Sequence, residues 1–258
     1  MNQLIDIMKT LRGPNGCPWD RKQTFETLMS CLLEEVHEMI DSVLEKDSDK
    51  IREELGDTVC IIAMLISIGE EKKLFTKKTV MQGAIKKMVH RHPHVFGSER
   101  ARTSGTAHAL WHTAKNKEKG VSKRISILDD LSSSFPALHR SDKIGRRVAR
   151  VGFDWPDMKG VFNKVDEELA EIKKEVWRRR RNNAKIQEEL GDLLFSVVTI
   201  GRKLHLNSEI ALRKTNNKFI KRFQLVERQL KKEGKKIGEV PLKELDAIWE
   251  EVKKRGKR

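Results

Sequence analysis

Apolar residues recur at the spacing of an α-helix along most of this chain. In residues 28–44 they fall on every third or fourth position, and acidic residues form a separate stripe on the same segment. A polar break precedes a second segment of the same kind. The second half repeats this plan, so the pattern predicts two helical pairs, each followed by a third helix: 28–44, 50–68 and 77–90, then 158–177, 184–205 and 208–232.

A duplicated octapeptide indicates how the chain is organised. Lys50–Asp57 returns as Lys185–Asp192 with seven of eight residues identical, and each copy follows an acidic helical segment. The repeat period of about 130 residues is a normal domain size, which favours two domains over one. With 16 Gly, 6 Pro and no Tyr, the composition favours helix over sheet. We therefore expect an all-α fold of two tandem helical domains, at residues 1–115 and 135–258, joined by a polar linker at 116–134.

The composition limits the class of protein without choosing a function. Lys and Arg total 53 against 38 Asp and Glu, and the formal net charge of +15 attracts polyanions such as nucleic acid, anionic membranes or free nucleotides. Three widely spaced cysteines indicate neither a disulfide framework nor a zinc knuckle. No secretory signal is visible, and the longest apolar run, Val59–Ile66, is too short to cross a membrane. These features predict a soluble cytoplasmic protein that needs no membrane.

Paired carboxylates carry the chemistry. In each half, two acids three residues apart on one helix precede two such acids on the next, so antiparallel packing would bring four carboxylates together. Carboxylates about 4 Å apart repel by roughly 4 kcal/mol at an effective dielectric near 20, so such a cluster takes up protons or binds a cation. One acidic stripe is typical of a solvated helix face, but two in the same frame favour a site for magnesium or manganese. The predicted ligands are Glu35, Glu38, Glu54 and Asp57 in the first half, and Glu168, Glu171, Glu189 and Asp192 in the second.

Cations and an aromatic residue recur downstream of each acidic set. Lys218 and Arg222 are four residues apart on one predicted helix, and Trp249 and Lys253 are also four apart. Such a set can line a pocket for phosphates and a base, although Trp249 alone is equally consistent with hydrophobic packing. The first half has the parallel residues Lys87, Arg91, Trp111 and Lys115.

Together these motifs resemble the MazG family of all-α nucleoside triphosphate pyrophosphohydrolases. The resemblance extends to residues 13–20, 91–96 and 151–155, and it covers nearly the whole chain in the order of the two-domain form. It implies magnesium-dependent cleavage of a nucleoside triphosphate between the α and β phosphates, giving the monophosphate and pyrophosphate. We expect broad base specificity, because the recognisable site residues address phosphate or metal and only Trp249 is a plausible base contact. It also implies a homodimer, in which helical hairpins pair their apolar faces into four-helix bundles.

The resemblance further assigns roles in the carboxyl-terminal domain. Metal ligands match the four acids of that half, and Lys218 and Arg222 would neutralise the leaving pyrophosphate. Glu34 and Glu167 adjoin presumed ligands and would either support them or orient the attacking water. The catalytic set is Glu167, Glu168, Glu171, Glu189, Asp192, Lys218 and Arg222. The substrate contacts are Lys164, Val165, Asp166, Glu167, Glu168, Lys185, Ile186, Gln187, Glu188, Lys218, Arg222, Trp249 and Lys253.

A second class of function fits part of this pattern. The net charge is also typical of a helical nucleic-acid-binding or regulatory protein whose acidic repeats are merely structural. The intact carboxylate sets and the paired cations favour the hydrolase, for which nucleic acid is not required. Because Pro93 should end the helix just beyond Arg91, we expect the second half to carry most of the hydrolysis.

Overall fold

The computed structural model describes residues 1–118, 126–129 and 131–255, and the regular structure in these residues is helical. This confirms the all-α prediction, and within those residues there is no strand. Among the described residues, a 3₁₀ turn occupies Ile237–Glu239. The α-helices are α1 (Asn2–Arg12), α2 (Pro18–Arg21), α3 (Phe25–Glu45), α4 (Ser48–Glu71), α5 (Lys77–Arg91), α6 (Pro93–Phe96), α7 (Ser104–Glu118), α8 (Ala137–Ala149), α9 (Met158–Val176), α10 (Asn183–Lys203), α11 (Ser208–Lys232) and α12 (Leu242–Arg255).

The chain divides into two compact units, Met1–Lys123 and Arg124–Arg258. Helix α7 ends inside the predicted linker, and residues 119–125 and 130 of that linker lie outside the described residues. None of the helices described here combines the length and the apolar character that a membrane span requires.

The first unit is built on the antiparallel hairpin of α3 and α4. Thr24 begins α3 by accepting a hydrogen bond from the Thr27 amide, and a left-handed Lys46 ends it at φ 60°. Asp47 then caps α4 by accepting from two backbone amides. The core of this unit joins α1 and α3 to the apolar stretch of α4 through Ile5, Met8, Leu28, Ala63, Met64, Ile66 and Ile68. The hairpin therefore holds its acidic residues at one end and its apolar core at the other.

Helices α5 to α7 complete the first unit. Thr76 caps α5 by exchanging hydrogen bonds with Thr79, and Thr24 and Thr27 begin α3 with the same arrangement. As predicted, α5 ends at Arg91, because the proline at 93 lacks an amide donor and disfavours helix at the residue before it.

The second unit repeats the hairpin with α9 and α10. Asp157 caps α9 by accepting from the Gly160 amide, and Asn182 caps α10 by accepting from the Lys185 amide. Helix α8 packs on α10, where Gly145 leaves room for the side chain of Arg202. Helices α11 and α12 share a small apolar cluster formed by Val226, Leu230 and Val252.

Candidate metal and nucleotide site

Three acids of the second unit converge across the α9–α10 hairpin. Carboxylate oxygens of Glu168, Glu189 and Asp192 all lie within 4.8 Å of one another. Glu168 and Glu189 are only 3% and 4% exposed, although glutamate is rarely buried without a partner. The antiparallel packing of the two capped helices places these residues at the same level of the hairpin, as the sequence predicts.

Two lysines hold the buried carboxylates. Lys164 lies one turn before Glu168 and approaches it to 2.7 Å, and Lys185 approaches Glu189 to 2.9 Å in the same i,i+4 relation. These bonds raise the pKa of both lysines, so both ammonium groups stay charged. The same lysines also reach their exposed neighbours Glu167 and Glu188, at 2.9 and 3.2 Å.

Glu171, the fourth predicted ligand, hydrogen-bonds to Glu189. The negative charge of Glu189 raises the pKa of Glu171, whereas the bond from Lys185 lowers the pKa of Glu189. Of these two carboxyl groups, Glu171 therefore has the higher pKa.

The residues present fit a divalent cation. The Oε2 atom of Glu168 is buried and has no hydrogen-bond partner, although it lies among other carboxylates. Two carboxylate charges 4.8 Å apart repel by about 3–4 kcal/mol at an effective dielectric near 20. A cation would relieve this repulsion and satisfy the buried oxygen. The donor set contains only oxygen, which suits magnesium or manganese.

A cavity of 190 Å³ opens beside the acids. It combines charged side chains with an apolar surface, which is the usual character of a small-molecule site. Its lining consists of Lys164, Glu168 and Asp192 together with Trp155, Val161, Phe195, Ser196 and Thr199. Trp155, Phe195 and the two hydroxyl residues are absent from the sequence-predicted site. The indole and the phenyl ring come from a loop and from the apolar stripe of α10, which helical spacing alone assigns to packing.

The other predicted contacts of this half lie along the same helices or on α11 and α12. Val165 and Ile186 are half-buried on the hairpin, whereas Asp166 and Gln187 are exposed. None of the four lines the cavity.

The predicted aromatic residue of this half packs on α11, the helix that carries the two predicted cations. Trp249 packs on the ring of Phe219, with centroids 4.9 Å apart, and Lys253 pairs with Glu250 at 2.6 Å. Within the described ranges, Lys218 and Arg222 make no ion pair. The cavity lining includes none of Lys218, Arg222, Trp249 and Lys253.

The acidic set of the first unit has a different environment. Oxygens of Glu35, Glu38 and Glu54 lie within 4.8 Å of one another, and the charge of Asp57 also acts on Glu35. Desolvation, followed by these like charges, raises the pKa of Glu35 and of Glu54. Across the part of the chain that is described, no lysine pairs with this cluster. Cys31 stands one turn before Glu35, and Lys50 pairs instead with Glu45 at 3.5 Å.

The predicted cations and aromatic of the first unit do assemble. The Arg91 guanidinium lies 5.4 Å from the ring centre of Trp111, and the Lys115 ammonium lies 4.8 Å from it. Lys87 is exposed on α5. The sequence prediction missed Glu118, whose carboxylate accepts two hydrogen bonds from Arg91, at 3.0 and 2.7 Å. Its position seven residues after Trp111, on the same face of α7, was the available signal.

Comparisons with known proteins agree on one family. The sequence model of the MazG nucleotide pyrophosphohydrolase domain matches residues 23–96 and 159–226, which contain all eight predicted metal ligands. The nucleoside triphosphate pyrophosphohydrolase/pyrophosphatase MazG of Thermotoga maritima is 39% identical over 251 residues, covering 97% of this chain and 94% of that protein. The nucleoside triphosphate pyrophosphohydrolase of Escherichia coli K12 is 39% identical over 255 residues, covering 98% and 97%. A crystal structure of a MazG-related protein from T. maritima aligns with 45% of this chain and 99% of that chain, at 26% identity and a TM-score of 0.39.

Proposed function

This chain belongs to the MazG family of nucleotide pyrophosphohydrolases, and we propose that its second unit hydrolyses nucleoside triphosphates to monophosphates and pyrophosphate with a bound magnesium ion. The observation that carries this proposal is the convergence of Glu168, Glu189 and Asp192 around a buried carboxylate oxygen without a partner. A chain built only to bind nucleic acid would have no use for such a cluster, which repels phosphate unless a cation intervenes.

The acids of the hairpin would hold the metal. Glu168, Glu189 and Asp192 would supply three ligands, and Glu171, which is bonded to Glu189, would supply a fourth. When bound, magnesium would neutralise phosphate charge and lower the pKa of a water that attacks phosphorus.

The chain's own cations would prepare the site. Lys164 and Lys185 pair with Glu168 and Glu189 and hold their carboxylates in position before substrate arrives. Lys164 also lines the cavity, where its ammonium can donate to a phosphate oxygen. Glu167, exposed and paired with Lys164, would either support the ligands beside it or accept a proton from water.

Product release involves the helix that follows the hairpin. Lys218 and Arg222 lie one turn apart on α11, and in the described residues no acid neutralises either of them. They are therefore free to pair with the leaving pyrophosphate. We expect weak discrimination among bases, because most of these groups address phosphate or metal.

The test is product analysis with each common nucleoside triphosphate and magnesium. We expect the monophosphate and pyrophosphate, and Glu168→Gln, which keeps the shape but removes the charge, should abolish turnover. Glu227→Gln, an exposed glutamate of α11, is the matched control and should retain it. Release of diphosphate and orthophosphate, or no turnover with magnesium or manganese, would contradict the proposal.

We also propose that the protein is a homodimer. Both hairpins leave large apolar side chains exposed, which pairing into a four-helix bundle would cover. In the two units these side chains include Leu33, Val43, Leu55, Phe162, Leu190, Leu194 and Val197.

A further inference from the structure

The cavity beside the acidic cluster is lined in part by aromatic rings, which neither phosphate binding nor metal binding explains. Trp155 and Phe195 line the same cavity as Glu168 and Asp192. Its 190 Å³ is below the range of about 300–1,000 Å³ that encloses a whole drug-sized ligand. Such a cavity cannot enclose a whole nucleotide. The flat apolar surface of Trp155 and Phe195 suits the base, whereas Lys164, Glu168 and Asp192 in the same lining would address phosphate and metal.

The loop that carries Trp155 is fixed to the hairpin by ion pairs. Asp154 accepts hydrogen bonds from both terminal nitrogens of Arg202, at 2.9 and 2.5 Å, and Lys203 lies 3.0 Å from the same carboxylate. Lys203 also donates to the backbone carbonyl of Trp155. The loop is therefore held at both its charged side chain and its backbone, at the end of α10.

Two glycines make this arrangement sterically possible. A side chain at Gly160 would meet the indole of Trp155 at 2.8 Å, so the ring lies directly against the first turn of α9. A side chain at Gly145 would meet Arg202 at 2.8 Å, so α8 leaves space for the guanidinium. A Cβ atom does not tolerate contacts this short, so both positions need glycine. With glycine there, the indole lies beside the acids before any ligand binds.

We propose that Trp155 contacts the nucleobase of the substrate, and that Asp154 is a positioning residue that holds the indole in the cavity. The inference rests on the proposed function, because the acids must hold the phosphates for the base to reach this cavity. Trp155 is 44% exposed and lines the cavity, so part of its side chain is accessible to a ligand. Every base has a π-face, so such a contact strengthens nucleotide binding while discriminating weakly among bases.

The test separates base binding from phosphate binding and needs no turnover. Affinities for a nucleoside monophosphate and for pyrophosphate are measured by calorimetry with magnesium. Trp155→Ala should weaken monophosphate binding by about tenfold, the usual effect of losing one stacked base, and leave pyrophosphate binding unchanged. Trp155→Phe, which retains a flat ring, should restore most of the affinity. Trp177→Ala removes an exposed tryptophan at the end of α9 and should change neither constant.

The positioning role has its own readout. Asp154→Asn should weaken monophosphate binding in the same selective manner, because the indole loses its fixed position while the acids keep theirs. Unchanged monophosphate affinity in Trp155→Ala would overturn the inference. So would an equal loss of pyrophosphate affinity, which would indicate a structural role. If these binding results hold but wild type turns over no triphosphate, the proposed function fails and the base contact stands.

Discussion

Removing the charge of Asp154 should destabilise the second unit by about 2–3 kcal/mol. Asp154→Asn keeps the size of the side chain but replaces one acceptor oxygen with an amide donor that faces Arg202. The Arg202 side chain is only 10% exposed, and that of Asp154 is 21% exposed. Breaking a fully buried ion pair costs about 3–5 kcal/mol, and the partial exposure of the carboxylate reduces this value.

The pH dependence of this effect follows from the pKa of Asp154. The bonds from Arg202, and then those from Lys203, hold that pKa well below its ordinary value. A depressed carboxyl pKa stabilises the folded state above the unfolded pKa, near 3.9, and the contribution is lost as pH falls toward the folded value. The difference in unfolding free energy between wild type and Asp154→Asn should thus be constant from about pH 7 to 5 and shrink below about pH 4.

Hydrogen exchange measured along a urea series is the appropriate assay, because it reports each unit separately. The matched control is Asp142→Asn, which breaks a 2.7 Å pair with Arg146 within α8. That arginine is 41% exposed, so we expect a loss of only about 0.3–0.5 kcal/mol. Equal losses in the two variants, or an Asp154→Asn effect that grows as the pH falls, would refute the reasoning.

Three further predictions concern the two acidic sets and the assembly. Asp192→Asn should lower kcat by more than the ~10- to 100-fold typical of residues that only support ligands, whereas Asp57→Asn should cost much less; steady-state kinetics that reverse this order would make the first unit the main catalyst. In the Asp192→Asn background, Glu118→Gln should strengthen pyrophosphate binding measured by calorimetry, because Arg91 loses its carboxylate partner. An unchanged affinity would contradict the idea that Glu118 keeps Arg91 from binding phosphate. Light scattering at micromolar concentration should give the mass of a dimer. The mass of a monomer would contradict pairing of the hairpins.

The helices and the acidic sets could be predicted because both depend on local spacing. Helix α11 begins and ends where the periodicity predicts, and the six predicted helices are all present. The convergence of Glu168 with Glu189 and Asp192 follows from one assumption, an antiparallel hairpin, which the short polar break between the helices favours.

The remaining features depend on contacts between distant parts of the chain. Asp154 and Arg202 are separated by 48 residues, and neither residue type nor spacing indicates that they pair. Their pairing places Trp155 in the cavity, so the sequence could show the tryptophan but not its position. Similarly, the spacing of Trp249 and Lys253 predicts a shared face of one helix, and only the structure shows that Trp249 packs on Phe219 and that Lys253 pairs with Glu250. Helical spacing identifies a shared face but not what covers it.

The two units show how one carboxylate motif can be given different uses by its surroundings. In the second unit, Lys164 and Lys185 neutralise two of the four charges and hold the ligands in place. In the first unit, Cys31 occupies the place of Lys164, so the cluster keeps its repulsion and its raised pKa values. There the cation suited to phosphate, Arg91, is already bound by Glu118. Binding a nucleotide to the first unit would therefore first require breaking a charge-assisted pair, which opposes binding even though every predicted ligand is present.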